Sequence, residues 1–270
     1  MFVALTLQPG PSGLLTRARD RMTGRDLIVQ RKTFLGNHYY HLEARGKQIP
    51  WDRIARTTGR MSARMVTPPE LEVPRSGGLG RFVPTIFEGR LTAVAAAQVL
   101  RNSAHPGSGF TVGLVDEDGL WSWCCRELAP LCGAVRVYTR RPERYEEVSR
   151  QMMEEWGASV VLAEKVGELA DCDFAISPAP TGVFKLALPV ITVTHSGIQG
   201  RPTINRLTLG LPQDLRDQIP PGLEAEDFLG AAYELGTRKF PLTFPITECR
   251  VDGRRAKVEE IAERGRAFFR

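Results

Sequence analysis

The sequence lacks any apolar run near the roughly 18 consecutive residues that a helix needs to cross a bilayer. Its composition, with 42% hydrophobic and 25% charged residues, is that of an ordinary globular protein. The opening run MFVALTL has no basic region before it and no small-residue cleavage site after it, so it does not indicate a signal peptide. We therefore expect a cytoplasmic protein with no membrane partner.

Paired metal ligands are also scarce. The five cysteines have no CxxC spacing, and the four histidines are scattered except for His38 and His41. If that segment is a strand, an i,i+3 spacing directs the two rings to opposite faces of the sheet. We therefore expect no metal site, and we expect the cysteines to be reduced, buried thiols.

A regular alternation of short apolar runs and amphipathic segments extends from Phe110 to about His195. The runs FTVGLV, AVRVYT, ASVVLA, DFAIS and PVITVTH are predicted strands. Because antiparallel neighbours need only short turns, the longer connections between these runs favour parallel pairing. The fold class that we expect is α/β, with a mostly parallel sheet.

Two helices are predicted between these strands. LWSWCCRELAPLCG places Leu120, Cys124, Leu128 and Leu131 on one stripe. RPERYEEVSRQMMEEWG begins with a proline suited to a first helical turn, carries an apolar stripe that includes Tyr145, and ends at a glycine.

Residues 1–100 have a more mixed character. Strands are predicted at FVALTL, DLIVQRKTF and YYHLEARG, and helices at WDRIARTTG and RLTAVAAAQVLRN, with Thr92 as a candidate cap of the latter. Further helices are predicted at EAEDFLGAAYELG and RRAKVEEIAERGRAFF. We therefore divide the chain into an N-terminal α+β segment, residues 1–100, and an α/β domain with C-terminal helices, residues 101–270.

In an open α/β sheet, ligands bind beyond the carboxyl ends of the strands. His195 follows one predicted strand and is a candidate catalytic acid or base, although a histidine bonded to a loop carbonyl is the structural alternative. Asp116 is a candidate base at the end of another strand, and with Glu117 and Asp118 it offers oxygen ligands for Mg²⁺. The alternative is that Asp118 caps the following helix while the other two acids complement its positive end.

Two segments resemble a known family. VYTRRPERYEEV and DCDFAISPAPTGVF are similar to turns of the Rossmann-like NAD(P)-binding domain in shikimate dehydrogenase and glutamyl-tRNA reductase relatives. The resemblance covers about residues 110–195. It implies that NADP is preferred to NAD if any cofactor binds, because arginines can fork onto a 2′-phosphate. The implied cofactor-binding residues are Gly119, Thr139, Arg140, Arg141, Ser177 and Thr181.

The first turn departs from the family pattern. A dinucleotide site uses G-x-G-x-x-G there, because glycines let the pyrophosphate approach the backbone and a helix N-terminus. This chain has VDEDGLWSW, a degenerate phosphate loop with one glycine and three carboxylates. Our first hypothesis is therefore a binding, structural or regulatory role rather than classical dinucleotide catalysis. An NADP-dependent dehydrogenase or reductase is the second.

Positive charge is concentrated near the N-terminus. From Arg17 to Arg64, twelve Lys or Arg residues stand against four acidic residues, in a chain whose net charge is only +5. This excess suits an anionic partner, although a solvated basic face is the simpler explanation. An RNA-binding or other polyanion-binding protein is our third hypothesis.

Overall fold

A computed structural model describes residues 1–9, 24, 26–46, 48–74, 76–103 and 109–264. In chain order, the strands are β1 (Phe2–Gln8), β2 (Leu27–Phe34), β3 (Asn37–Arg45), β4 (Met65–Val66), β5 (Thr111–Val115), β6 (Ala134–Tyr138), β7 (Ser159–Ala163), β8 (Phe174–Ser177), β9 (Phe184–Lys185), β10 (Val190–Thr192), β11 (Ile198–Gln199), β12 (Thr203–Leu209), β13 (Ile246–Val251) and β14 (Arg254–Lys257). The α-helices are α1 (Trp51–Thr58), α2 (Thr85–Asn102), α3 (Trp123–Leu128), α4 (Glu146–Trp156), α5 (Gln213–Arg216), α6 (Ala225–Leu235) and α7 (Val258–Arg264). Short 3₁₀ segments lie at Gly59–Ala63, Ala129–Leu131, Pro142–Arg144 and Val166–Asp171.

The chain forms two compact units. The first unit comprises the described parts of Met1–Pro84 and Leu211–Pro241, and the second comprises those of Thr85–Gly210 and Leu242–Arg270. The predicted division into residues 1–100 and 101–270 stays a prediction. Among the helices of the described ranges, none is both long enough and apolar enough to cross a bilayer.

The second unit contains the predicted parallel sheet. Its strand order is β14-β13-β12-β10-β8-β5-β6-β7, and every pair from β12 to β7 is parallel. Counted from β5, the parallel strands follow the order 3-2-1-4-5-6, which is that of the doubly wound dinucleotide-binding fold. β13 and β14 complete the sheet in antiparallel pairing. The predicted α/β class, with a mostly parallel Rossmann-like sheet, is confirmed.

The helix prediction at the start of RRAKVEEIAERGRAFF is wrong. RRAK forms β14, and α7 begins only at Val258. The reason lies in the two-residue turn Asp252–Gly253, where φ is 49° and 82°. Such turns reverse a chain into a tight hairpin, so β14 returns along β13. Residues 265–269 of the predicted helix lie outside the described residues.

Two other helical predictions need correction. α2 begins at Thr85, so Thr92 is an interior residue whose hydroxyl donates to the carbonyl of Glu88 (3.0 Å) instead of capping the helix. α3 begins at Trp123, so Leu120 lies outside the helix and is 60% exposed rather than part of the buried stripe.

The first unit is built on a four-stranded sheet of order β2-β3-β1-β4. β1 pairs in parallel with β3 and β4, and β2 pairs antiparallel with β3. Ile54 of α1 packs in an apolar cluster with residues of β1 and β3. His38 is exposed and His41 is buried, as expected for opposite faces of a strand.

Phe228 of α6 packs on aromatic side chains of this sheet. Its ring lies edge-on to Phe2, Phe34 and Tyr39, with centroids 5.4, 5.0 and 5.1 Å away. All four side chains are buried. The helix therefore contributes to the core of the first unit although it follows the parallel sheet in the sequence.

All five cysteines are buried, as predicted, and none of them forms a disulfide bond. Burial raises the pKa of Cys125 and of Cys132 to about 12, so both thiols are protonated near neutral pH.

Phe228→Ala should destabilise the first unit by about 3–5 kcal/mol, because it removes a buried ring and leaves a cavity beneath α6. Urea unfolding followed by circular dichroism measures this loss. Val29→Ala, at an exposed position of β2, is the control and should change the free energy by less than about 0.5 kcal/mol. A loss below 1 kcal/mol for Phe228→Ala would contradict the packing described here.

Candidate functional site

The strand order of the second unit reverses between β5 and β8, and the loops that follow these strands meet at the carboxyl edge of the sheet. A cleft of about 100 Å³ lies there. Ligand pockets are usually about 300–1,000 Å³, so this cleft is small for a dinucleotide. It is lined by Asp116, Glu117, Asp118, Leu120, Trp121, Arg140, Ala179, Pro180 and Thr181.

Asp116 directly follows β5 and is 2% exposed. Its carboxylate accepts hydrogen bonds from the backbone N–H groups of Leu120 (3.1 Å) and Trp121 (2.7 Å). The hydroxyl of Tyr145 donates to it as well, at 2.6 Å. In the dinucleotide-binding fold a pyrophosphate accepts hydrogen bonds from backbone N–H groups at this turn. Here the Asp116 carboxylate accepts two such bonds.

The expectation that Asp118 caps the following helix is wrong. Asp118 is exposed in the turn, and α3 has no side-chain hydrogen bond at its N-terminus. Asp116 binds the turn instead, because it directly follows the buried strand β5 and its carboxylate accepts hydrogen bonds from the loop.

Gly119 lies beneath two arginines. Its φ of +67° is a left-handed conformation that favours glycine. A Cβ added at Gly119 would lie 2.7 Å from Cδ of Arg144 and 2.9 Å from Cβ of Arg141. The aliphatic parts of the Arg141 and Arg144 side chains therefore occupy the space beside Gly119. A phosphate would need that space to approach the backbone of the turn.

Trp121 fills space beside the same turn. Its indole is 7% exposed and lies so close to Gly89 of α2 that a Cβ on Gly89 would overlap the ring and the carbonyl oxygen of Pro178. The ring of Trp123 is 5.6 Å away, and the guanidinium of Arg90 lies 4.4 Å from the Trp123 centroid. An indole packed against a glycine thus fills the space beside this turn.

Glu117 connects three loops. Its carboxylate pairs with the guanidinium of Arg140 (2.7 Å) and accepts a hydrogen bond from the N–H of Gly182 (3.2 Å). The N–H of Arg140 donates to the backbone carbonyl of Glu117 (3.0 Å). A hydrogen bond with Tyr138 and the charge of Glu117 both raise the pKa of Arg140, which is 70% exposed. The arginine predicted to hold a 2′-phosphate therefore already has an anionic partner.

The other predicted cofactor-binding residues make local contacts. The hydroxyl of Thr139 accepts a hydrogen bond from the N–H of Arg141 (3.0 Å), and the Arg141 side chain is exposed. Ser177 is buried and donates to the carbonyl of Ala179 (3.2 Å).

Thr181 and His195 lie on neighbouring turns. The Thr181 hydroxyl is 3.1 Å from that of Ser196, and His195 is exposed in the turn after β10. Of the predicted site residues, Asp116, Arg140 and Thr181 line the cleft. The catalytic and cofactor-binding roles predicted for all these residues stay predictions.

Sequence reasoning did not identify two residues of this site. Tyr145 was assigned to the apolar stripe of α4, yet a buried tyrosine hydroxyl usually needs a partner, and that requirement was the available signal. Gly89 gave no signal, because its role depends on Trp121 in a distant segment. Within the described ranges, no three His, Cys, Asp or Glu side chains are grouped so as to hold a metal ion.

No protein-family model matches the chain, and no curated protein matches it significantly. Among solved structures, an L-tryptophan dehydrogenase from Nostoc punctiforme aligns over 85% of this chain and 72% of its own, with 14% identity and a TM-score of 0.34. A Thermococcus litoralis Δ¹-pyrroline-2-carboxylate reductase, solved with NADH and L-proline, aligns over 66% of this chain and 61% of its own, with 14% identity and a TM-score of 0.31. A lysine cyclodeaminase aligns over 44% and 37%, with 18% identity and a TM-score of 0.30.

These alignments span between 37% and 72% of the compared chains. At such identities and scores the likeness is distant and carries no argument about activity. The fold assignment rests on the strand order of the second unit. The resemblance noted in the sequence therefore holds for a Rossmann-like domain and not specifically for shikimate dehydrogenase.

Tyr145→Phe should change how stability depends on alkaline pH. Burial and the neighbouring Asp116 carboxylate raise the pKa of Tyr145 above its ordinary value of 10.0. The folded protein then retains a proton that the unfolded chain releases, so this stabilisation is complete below pH 10 and is lost as pH rises above it. Chemical unfolding between pH 9 and 11 should show a slope up to about 1.4 kcal/mol per pH unit steeper in the wild type than in Tyr145→Phe. Tyr40→Phe is the control, and equal slopes in the wild type and Tyr145→Phe would contradict the expectation.

Proposed function

We propose that this protein uses its Rossmann-like unit for a binding, structural or regulatory role and does not use a dinucleotide cofactor in the usual way. The observation that supports this most strongly is the Asp116 carboxylate, which accepts the N–H groups of Leu120 and Trp121. A pyrophosphate in the usual position needs those donors.

Displacing Asp116 would be costly. Hydrogen bonds to a charged group contribute about 1.5–3 kcal/mol each, and Asp116 accepts three. A phosphate that entered without displacing it would face a buried carboxylate of the same charge. The Arg144 and Arg141 stems over Gly119 and the indole of Trp121 oppose the same ligand sterically. Charge and shape therefore act together against dinucleotide binding.

An NADP-dependent dehydrogenase or reductase is the competing proposal, with Arg140 and Arg141 at the 2′-phosphate and His195 near a substrate. It requires Arg140 to leave Glu117 and the turn around Gly119 to open. Thermal unfolding in the presence of NADPH distinguishes the two proposals.

Thermal unfolding should be unchanged by NADPH, NADH or ATP at millimolar concentration, with or without Mg²⁺. A ligand present at 100 times its Kd would stabilise the protein by about 2.7 kcal/mol, which a thermal-shift assay detects readily. Stabilisation by NADPH that disappears in Arg140→Ala would overturn our proposal and support the reductase.

Arg150→Ala is the matched control for that variant. Arg150 is an exposed arginine of α4 that also pairs with glutamates, Glu147 and Glu154. It lies outside the cleft lining, so it should leave any response to NADPH unchanged.

A second role, binding of RNA or another polyanion, is supported by the first unit. Arg56 of α1 and, after it, Arg60 and Arg64 are exposed. Arg53 is less available, because it pairs with Asp26 at 2.6 Å. Several other basic residues of this region lie outside the described residues: Arg17, Arg19, Arg21, Arg25 and Lys47.

If this second role is real, fluorescence anisotropy with a labelled single-stranded RNA should show binding that weakens steeply as salt rises, because counterions are released from the RNA. Replacing Arg56, Arg60 and Arg64 together by Glu should weaken binding by at least about tenfold, or about 1.4 kcal/mol. The control is replacement of Arg150, Arg254 and Arg255 by Glu. These residues are exposed in the second unit, and the replacement changes the net charge by the same amount. Binding that is absent, insensitive to salt or equally weakened by the control would end this proposal.

A further inference from the structure

The ends of the two large sheets differ in how their open edges are protected. An edge strand presents unpaired N–H and C=O groups, and proteins commonly protect such edges with charged side chains or by keeping the strand short. Among the described strands, β2 carries Arg31 and Lys32, and β14 carries two arginines and Lys257. β4 has only two residues, and Met65 forms a further bridge with Arg81.

Among the edge strands of the described ranges, β7 is the one without such protection. Its sequence, SVVLA, contains no charged residue and no proline. Val161 and Leu162 are each 44% exposed, and Met153 and Trp156 of the preceding helix α4 are exposed as well. The strand terminates the eight-stranded sheet and pairs only with β6 within the described residues.

Alternate residues of β7 direct their backbone N–H and C=O groups to the open side of the strand. Ser159 donates its N–H to the carbonyl of Gly133, on the side of β6 (3.4 Å). Because successive residues of a strand direct their N–H and C=O groups to opposite neighbours, Val160 and Leu162 present theirs to the open edge. The N–H and C=O groups of Val161 are directed to β6.

This arrangement is self-complementary. When two β7 strands run antiparallel about a two-fold axis at Val161, Val160 of one copy lies opposite Leu162 of the other. On that side, no described residue pairs with the backbone groups of either. The two residues can then exchange both N–H···O bonds, as in a hydrogen-bonded antiparallel pair. A two-fold interface requires a surface that matches itself in this manner.

Charges at the strand ends fit the same register. When this register is continued beyond the ends of β7, Lys165 of one copy lies opposite Gly157 of the other. Gly157 directly follows the last residue of α4. The C-terminus of a helix is negatively polarised, and Glu155 is exposed in the last turn of α4. A lysine is therefore brought to a negative region, the neighbouring Glu164 lies opposite the uncharged Ala158, and the uncharged strand places no like charges opposite each other.

We propose that β7 is a homodimerisation edge, which pairs with β7 of a second copy of this chain and extends the sheet across a two-fold axis. The proposal does not depend on whether the second unit binds a nucleotide.

Sedimentation equilibrium of the full chain tests the proposal. The wild type should be a dimer, and Val160→Pro should weaken association by at least about tenfold. Proline removes the N–H that faces the open edge while leaving the bonds to β6, and edge strands tolerate it. Leu162→Lys should weaken association as well, because it places a positive charge on the edge strand of each copy. This variant tests the proposal if Val160→Pro does not fold. Val29→Lys, a like substitution on β2, should leave the dimer intact.

Cross-linking tests the register. In Val161→Cys the new thiols face each other across the axis at a Cα separation of about 4.5–5.5 Å, which permits a disulfide. Oxidation should give a covalent dimer, and Val29→Cys, with the same five buried native thiols, should not. A wild type that remains monomeric at submillimolar concentration would overturn the proposal. A dimer that survives both Val160→Pro and Leu162→Lys would also overturn it.

Discussion

The site of the second unit depends on one buried carboxylate. Asp116 directly follows β5 and accepts hydrogen bonds from Leu120, Trp121 and Tyr145, so it joins the first turn of the sheet to the start of helix α4. A buried carboxylate is stable only when its oxygens are paired, and these three donors meet that requirement. The turn is therefore preorganised around a negative charge that belongs to the protein.

The parallel sheet could be predicted because its signals are local. The β5 to β7 strands are short apolar runs, and the helices between them carry stripes at helical spacing, so neither depends on distant residues. β14 was missed although Asp252–Gly253 is a strong turn signal, because the Arg, Ala, Lys and Glu residues of RRAKVEE are good helix formers. The strand order that identifies the fold depends on pairing between distant segments and could not be read from the sequence.

The candidate site was predicted only in part for a similar reason. Three acids and a single glycine in the first turn indicated that a phosphate would be disfavoured, and this required no structure. The role of Asp116 required knowing that the Tyr145 hydroxyl, 29 residues away in sequence, returns to the same loop. The arginine at the end of β6 gave an ambiguous signal, because a guanidinium suits either a phosphate or the carboxylate of Glu117.

The position of α6 in the chain has a consequence for biosynthesis. The aromatic face formed by Phe2, Phe34 and Tyr39 is complete early in translation, whereas Phe228 emerges from the ribosome only after the whole parallel sheet up to β12. Nascent chains must therefore carry an uncovered apolar surface through most of their elongation. Such surfaces are the ones that chaperones recognise, and a chain released prematurely would retain this one.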